Sequence, residues 1–145
     1  MSIQQSSFPT TPTGLTRLGD GYLPGLLGIE ILESAAGRVR ARLPIRRELL
    51  APNGYLHAGS VVTFADTLCG YGCRLSVPEG ASGFTTIELK SNFLGTVREG
   101  AVMSTATLVH GGRMTQVWDA EVVDEATSKP IAHFRCTQMI LYPRD

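Results

Sequence analysis

The residue in this chain best suited to chemistry is Asp66, the only charged side chain in the stretch AGSVVTFADTLCGYGC that runs from Ala58 to Cys73. A carboxylate among so many apolar and small residues costs free energy unless a partner or a reaction uses it. Helical steps of three, four and seven put Gly59, Thr63, Gly70 and Cys73 on its stripe, so Asp66 looks over small and polar residues that could line a narrow cleft. A carboxylate turned to solvent, or satisfied by the Thr63 hydroxyl, fits the same pattern, and on that pattern alone the two readings stand level. Gly59 falls at the helix start, where backbone N–H groups lack intrahelical partners and the dipole is positive. A carbonyl oxygen set against that N–H would be polarised, and glycine permits the close approach. Taken alone, a glycine easing a loop into a helix is the better reading. His57, two residues earlier, is placed to orient a carbonyl or to hold the loop.

Other chemistries lack their patterns. There is no G-x-S-x-G elbow, and Gly80-Ala81-Ser82-Gly83 has the wrong spacing for one. His110-Gly111-Gly112 is like part of a lipase oxyanion loop but reads as a turn between strands. Cys69, Cys73, His57, His110 and His133 offer soft ligands without metal-site spacing, so no metal is expected. No glycine-rich phosphate loop is present. Three cysteines make an odd set with no disulfide-like framework, which favours reduced thiols.

The elements that must carry these residues follow from periodicity. Val61, Phe64, Ala65, Leu68, Gly72 and Leu75 repeat at helical spacing, predicting a helix from about Ser60, as its cap, to Arg74 or Leu75. Its near-total lack of charge predicts cover on several sides. Upstream, LLGIEILES and GRVRARLPI read as a hairpin whose second strand puts Arg38, Arg40 and Arg42 on one face. A solvated outer face is the favoured reading of those arginines, against a phosphate-binding stripe. Downstream, FTTIELKSNFL, AVMSTATLVH, MTQVWDAEVVD and PIAHFRCTQMILY read as four strands. Their connectors GTVREG, GGR and EATSK are of hairpin length and predict antiparallel neighbours. Two strands, one long helix and four strands make an α+β chain, a curled antiparallel sheet around one helix.

The chain has 145 residues, 43% apolar and 18% charged, enough for one packed domain. Residues 1–14, rich in Ser, Thr, Pro and Gln, read as a loose tail, leaving 15–145 as the single domain. Thirteen basic and thirteen acidic side chains cancel, so nucleic acid is not an expected partner. A near-neutral surface leans toward self-association. The start lacks the basic and apolar parts of a secretory signal, and no stretch approaches the roughly 18 to 20 apolar residues of a membrane span, so a soluble, cytoplasmic protein is expected.

At this point the motifs Gly54-Tyr55-Leu56-His57-Ala58-Gly59, Phe64-Ala65-Asp66-Thr67, Thr86, Ser91-Asn92-Phe93-Leu94 and Val109-His110-Gly111-Gly112-Arg113 stand at preserved spacings over roughly residues 22–141. Together they resemble the hotdog-fold acyl-CoA thioesterases, in the branch of the phenylacetate-degradation and 4-hydroxybenzoyl-CoA thioesterases. The resemblance implies a hotdog fold, a sheet wrapped around one central helix. It also implies hydrolysis of a small acyl-CoA, aromatic acyl groups included, with Asp66 as catalytic carboxylate and the Gly59 N–H on the thioester carbonyl. His57 would place that carbonyl, and Thr86 would touch the acid or the attacking water. Substrate contacts would come from Asn53, Thr63, Thr67, Asn92 and Arg113, with Arg98 a second phosphate candidate. No cofactor is implied beyond the coenzyme A of the substrate. Asp66 of one subunit would face Gly59 of its partner, making a homodimer obligatory and a dimer of dimers the expected homotetramer.

Three departures stand out. The usual H-G-G is His57-Ala58-Gly59, the polar residue six before the histidine is Ala51, with Asn53 its nearest substitute, and the N-F-L-R-P stretch has become Asn92-Phe93-Leu94-Gly95-Thr96. The rival functions are an acyl-CoA-binding or sensing protein, which needs the cleft but not Asp66; a hydratase, which needs an Asp and His pair at another spacing; and a purely structural protein, which no acyl-CoA would stabilise.

Overall fold

The computed structural model describes residues 7–145, and residues 1–6 of the expected tail lie outside them. The remainder of that tail is built into the fold. Phe8 packs against the core, and Thr11 caps a short helix, α1 (Pro12–Leu18), by accepting from the Gly14 N–H at 3.0 Å. A second short helix, α2 (Leu23–Leu27), replaces the start of the expected first strand. Its end is set by Gly28 at φ +84°, a left-handed turn that closes a helix at no steric cost to glycine. The hairpin proper is β1 (Glu30–Ala35) and β2 (Arg38–Pro44), turning at Gly37 with φ +80°.

Then come the long helix α3 (Ala58–Leu75) and strands β3 (Gly83–Phe93), β4 (Ala101–Gly111), β5 (Thr115–Asp124) and β6 (Pro130–Leu141). All pairings are antiparallel, in the order β1-β2-β4-β5-β6-β3, and α3 lies across the sheet in contact with every strand. This is the expected α+β hotdog architecture. No helix of the described residues is long and apolar enough to cross a membrane.

One connector departs from expectation. The segment 95–100 does not join neighbours, because β3 pairs with β6 while β4 sits between β2 and β5. It runs over the end of the sheet, held by hydrogen bonds from Gly95 N–H to the Ile131 carbonyl, from Leu56 N–H to the Val97 carbonyl and from Ile45 N–H to the Gly100 carbonyl. The loop before α3 is thereby tied to the end of β3.

On β2, Val39, Ala41 and Leu43 are buried while the arginines face outward. Those arginines are ion-paired, Arg38 and Arg40 with Glu33 and Arg42 with Glu30 and Glu125, so they form the solvated face rather than a free phosphate stripe. At its far end α3 is locked to the sheet by buried polar groups. Trp118 Nε1 donates to Gln116 Oε1 at 2.8 Å, Gln116 Nε2 donates to the Ser76 carbonyl at 2.9 Å, and Ser76 Oγ donates to the Gly72 carbonyl at 2.7 Å. The indole lies directly over Gly72, where a Cβ would stand 2.6 Å from two ring carbons. Alanine should favour the helix by about 1 kcal/mol over glycine, but overpacking a rigid buried ring costs about 1–3 kcal/mol. With contact this close the second effect wins. Gly72→Ala is expected to lower stability by about 1–2 kcal/mol in denaturant unfolding, against a gain if the ring could yield.

Candidate active site

The sequence places a helix cap at Ser60; the structure places it at His57. Residue 57 has extended backbone, φ −65° and ψ 137°, and its ring nitrogen Nδ1 accepts from the Gly59 N–H at 2.7 Å. Ser60 instead donates its Oγ to the Leu49 carbonyl at 2.8 Å, pinning the helix start to the preceding loop. The Gly59 amide is therefore occupied by its own neighbour. A Cβ on Gly59 would stand 2.9 Å from that Nδ1, which explains why glycine is needed under the ring.

Two turns along, Asp66 is half-buried on α3. Thr86 of β3 points its Oγ1 at the Asp66 carboxylate, 3.2 Å from Oδ1. Behind Thr86 lies Gln138 of β6, fully buried, with Oε1 2.8 Å from the same Thr86 oxygen and Nε2 3.4 Å from Cys136 Sγ. Burial holds the Asp66 carboxyl above its ordinary value, and the Thr86 hydrogen bond pulls the other way without cancelling it. The stripe drawn from helical steps divides here. Gly59, Thr63 and Asp66 stay accessible, whereas Gly70 and Cys73 enter the core. The Cys73 thiol is pushed up to about 12 by burial, and Cys69, hydrogen-bonded with Cys136 and buried, is held well above its ordinary value. Neither thiol is a ready nucleophile.

The shift at Asp66 has a sign that can be tested. The folded state binds this proton more tightly than the unfolded chain, so the carboxyl stabilises the fold at acid pH and loses that contribution as pH rises through its folded value. At neutral pH the charge is a burden. Asp66→Asn is expected to raise Tm at pH 7, with the gain shrinking to nothing below the ordinary carboxylate range; equal melting curves at pH 7 would contradict the shift.

The remaining expected site residues separate. Asn53 closes the loop turn by accepting the Tyr55 N–H at 3.1 Å, and it borders a cavity of about 330 Å³ with Tyr55, His57, Val61 and Phe93. Gly59 and Thr63 line a second cavity of about 450 Å³ with Leu26, Leu27 and Leu49. Thr67 is half-buried beside Asp66. Asn92 is not brought to Asp66 within the chain. It lies on the outer face of the sheet opposite His133, in a groove with Lys90, Asp119 and Arg135. Arg113 sits in the β4–β5 turn, its guanidinium 5.7 Å from the Tyr142 ring, and so at the other end of the sheet from His57. Arg98 stands beside the His57 loop, stacked 4.3 Å over Tyr55 and donating to its hydroxyl at 2.7 Å. Gln138 escaped the sequence reading. Its signal was there, since Cys136, Gln138 and Ile140 alternate on the inward face of one strand.

Known proteins resemble this chain over most of its length. Residues 53–131, which carry the His57 loop, α3 and β3 to β5, match the model of the thioesterase superfamily. The putative esterase ComA2 of Bacillus subtilis is 35% identical over 115 residues, covering 79% of this chain and 90% of that one. A 1,4-dihydroxy-2-naphthoyl-CoA hydrolase of Listeria monocytogenes is 33% identical over 111 residues, covering 77% and 89%. Among solved structures, a mutant of thioesterase PA1618 from Pseudomonas aeruginosa superposes with a TM-score of 0.85 at 27% identity, covering 94% of this chain and 96% of that one. The chain belongs to the thioesterase superfamily. Within it, the chain has the hotdog fold and is a thioesterase, and it is also similar, at 28% identity over 110 residues, to the acyl-coenzyme A thioesterase PaaI of Escherichia coli.

Proposed function

We propose that the protein hydrolyses the thioester of a small acyl-CoA, aromatic acyl groups included, to the free acid and coenzyme A. The observation that carries this reading is Asp66 itself, a half-buried carboxylate whose hydrogen-bond donor is a threonine and which no cation neutralises among the described residues. Such a group is costly to keep and useful as a nucleophile or as a base on water. The name of the Listeria relative supports the aromatic class.

Gly59 and Asp66 lie seven residues apart on one helix, about 10 Å along its axis. In this reading a second copy lays its own Asp66 beside this Gly59, so that the two groups reach one thioester from opposite sides. The free edge of β3 supports such a pairing. It ends the sheet, and Leu89 and Phe93 share a face with the buried Cys136 and Ala132 they oppose, yet stay 43% and 47% exposed. In the paired site the substrate carbonyl displaces His57 Nδ1 from the Gly59 N–H, and the partner's carboxylate acts on the carbon thus polarised. The thiolate of coenzyme A leaves, and water completes the acid. These steps call on no metal or redox cofactor.

The experiment is the loss of thioester absorbance over aryl, short-chain and long-chain acyl-CoAs. Turnover of an aryl or short-chain member is expected. Binding of acyl-CoA without cleavage of any would make the protein a sensor or carrier instead.

A further inference from the structure

The Thr86 hydroxyl owns one hydrogen and faces two acceptors, Asp66 Oδ1 at 3.2 Å and Gln138 Oε1 at 2.8 Å. The shorter contact takes the larger share of that hydrogen. Gln138 is 0% exposed, its amide nitrogen faces Cys136 Sγ at 3.4 Å and its oxygen faces Thr86. A buried glutamine in a strand that otherwise sends Ile131, Phe134, Cys136 and Ile140 inward costs desolvation, and it lies opposite a second buried glutamine, Gln116 of β5. We propose that Gln138 is a positioning residue for the hydrolysis: its carboxamide oxygen draws the Thr86 hydroxyl proton to itself and so withholds it from the Asp66 carboxylate. The inference rests on the reading of Asp66 as the reacting carboxylate. A carboxylate kept short of donors is a stronger nucleophile and base than one fully hydrogen-bonded, which is the use a thioesterase makes of it.

The surroundings of Asp66 leave this relay as the adjustable part. On α3 the titratable neighbour is Cys69, one turn on, and Cys69 in turn meets Cys136 of β6 and the field of Asp119 of β5. The β3 strand offers Thr86, while its Glu88 is engaged on the outer side by the Thr137 hydroxyl at 2.8 Å. The strands β2 and β4, packed against α3, bury Val39, Ala41, Leu43, Val102 and Ala106, none of them titratable, and α2 (LPGLL) holds no titratable residue.

The test is Gln138→Met, which keeps the length and removes the acceptor, read by the acid limb of the pH profile of kcat/KM and by a direct carbon-13 titration of the Asp66 carboxyl. With the competitor gone Thr86 donates fully to Asp66, so both readouts are expected to move about one pH unit lower, with kcat on the plateau falling several-fold. Thr86→Val should move them the other way, and adding Gln138→Met to Thr86→Val should then change nothing further, since the effect passes through the hydroxyl. An acid limb unmoved or raised in Gln138→Met, or an equal effect without the hydroxyl, overturns the inference. In wild type, nuclear Overhauser contacts from the Gln138 amide protons should reach the Cys136 β-protons; contacts to the Thr86 methyl instead would show the amide reversed and overturn it without any variant. An inert wild-type enzyme, or full turnover in Asp66→Asn, would sink the reading of Asp66 and leave the carbon-13 titration to judge Gln138.

Discussion

Asp66→Asn is expected to leave the protein folded and to lower kcat/KM for its best acyl-CoA by about 100-fold or more, with KM little changed. Asparagine has the shape of aspartate, and its Oδ1 can still accept from Thr86, so the groups that position the substrate stay where they are. What disappears is the negative charge that attacks carbon or takes a proton from water, an interaction made only as the transition state forms. A drop in kcat with binding retained is therefore the expected signature, read by thioester absorbance beside calorimetric titration with the product coenzyme A. The same variant should be more stable than wild type at neutral pH, since burial works against the native charge. Loss of function with gain of stability is the mark of a side chain kept for chemistry. Full activity in Asp66→Asn would remove the carboxylate from the mechanism.

Paired substitution of Ile87 and Leu89 by lysine is expected to give a folded monomer with at least a 100-fold loss of turnover, although Asp66, Thr86 and Gln138 are themselves untouched. Both residues lie on β3, 51% and 43% exposed, so the isolated chain loses little packing when they change. Lysine on an edge strand blocks pairing with another strand by charge and by bulk. If Gly59 of one copy and Asp66 of another share a substrate, separating the copies leaves each with half a site. Light scattering and the absorbance assay on the same sample decide the matter. A monomer that still turns over at the wild-type rate would place the whole site in one chain.

Much of this was written in the chain. The 3.6-residue repeat around Phe64 and Leu68 placed α3 within three residues, and alternation placed β3 to β6 almost to their ends, because each pattern is imposed by one buried face. Asp66 was legible for the complementary reason, a charge where burial forbids one. Local patterns misled where tertiary contacts outweigh them. Leu26 and Leu27 read as strand, yet Pro24 near the start and Gly28 at the end make a helical turn that seats Leu27 in the core. Ser60 had the composition of a cap, but its hydroxyl was drawn to the Leu49 carbonyl and the imidazole of His57 took its place.

The sequence by itself determined the long helix and the strands that surround it, which face of each is greasy, and that one carboxylate stands where a carboxylate is costly. Periodicity and burial are local properties of the chain. Only the tertiary structure decided that β3 lies beside β6 and not β4, that Asn92 falls on the outer face, and that Thr86 and Gln138 meet behind Asp66. Those are distances between residues 20 and 52 positions apart. They follow from how the sheet closes around α3, which no single segment encodes.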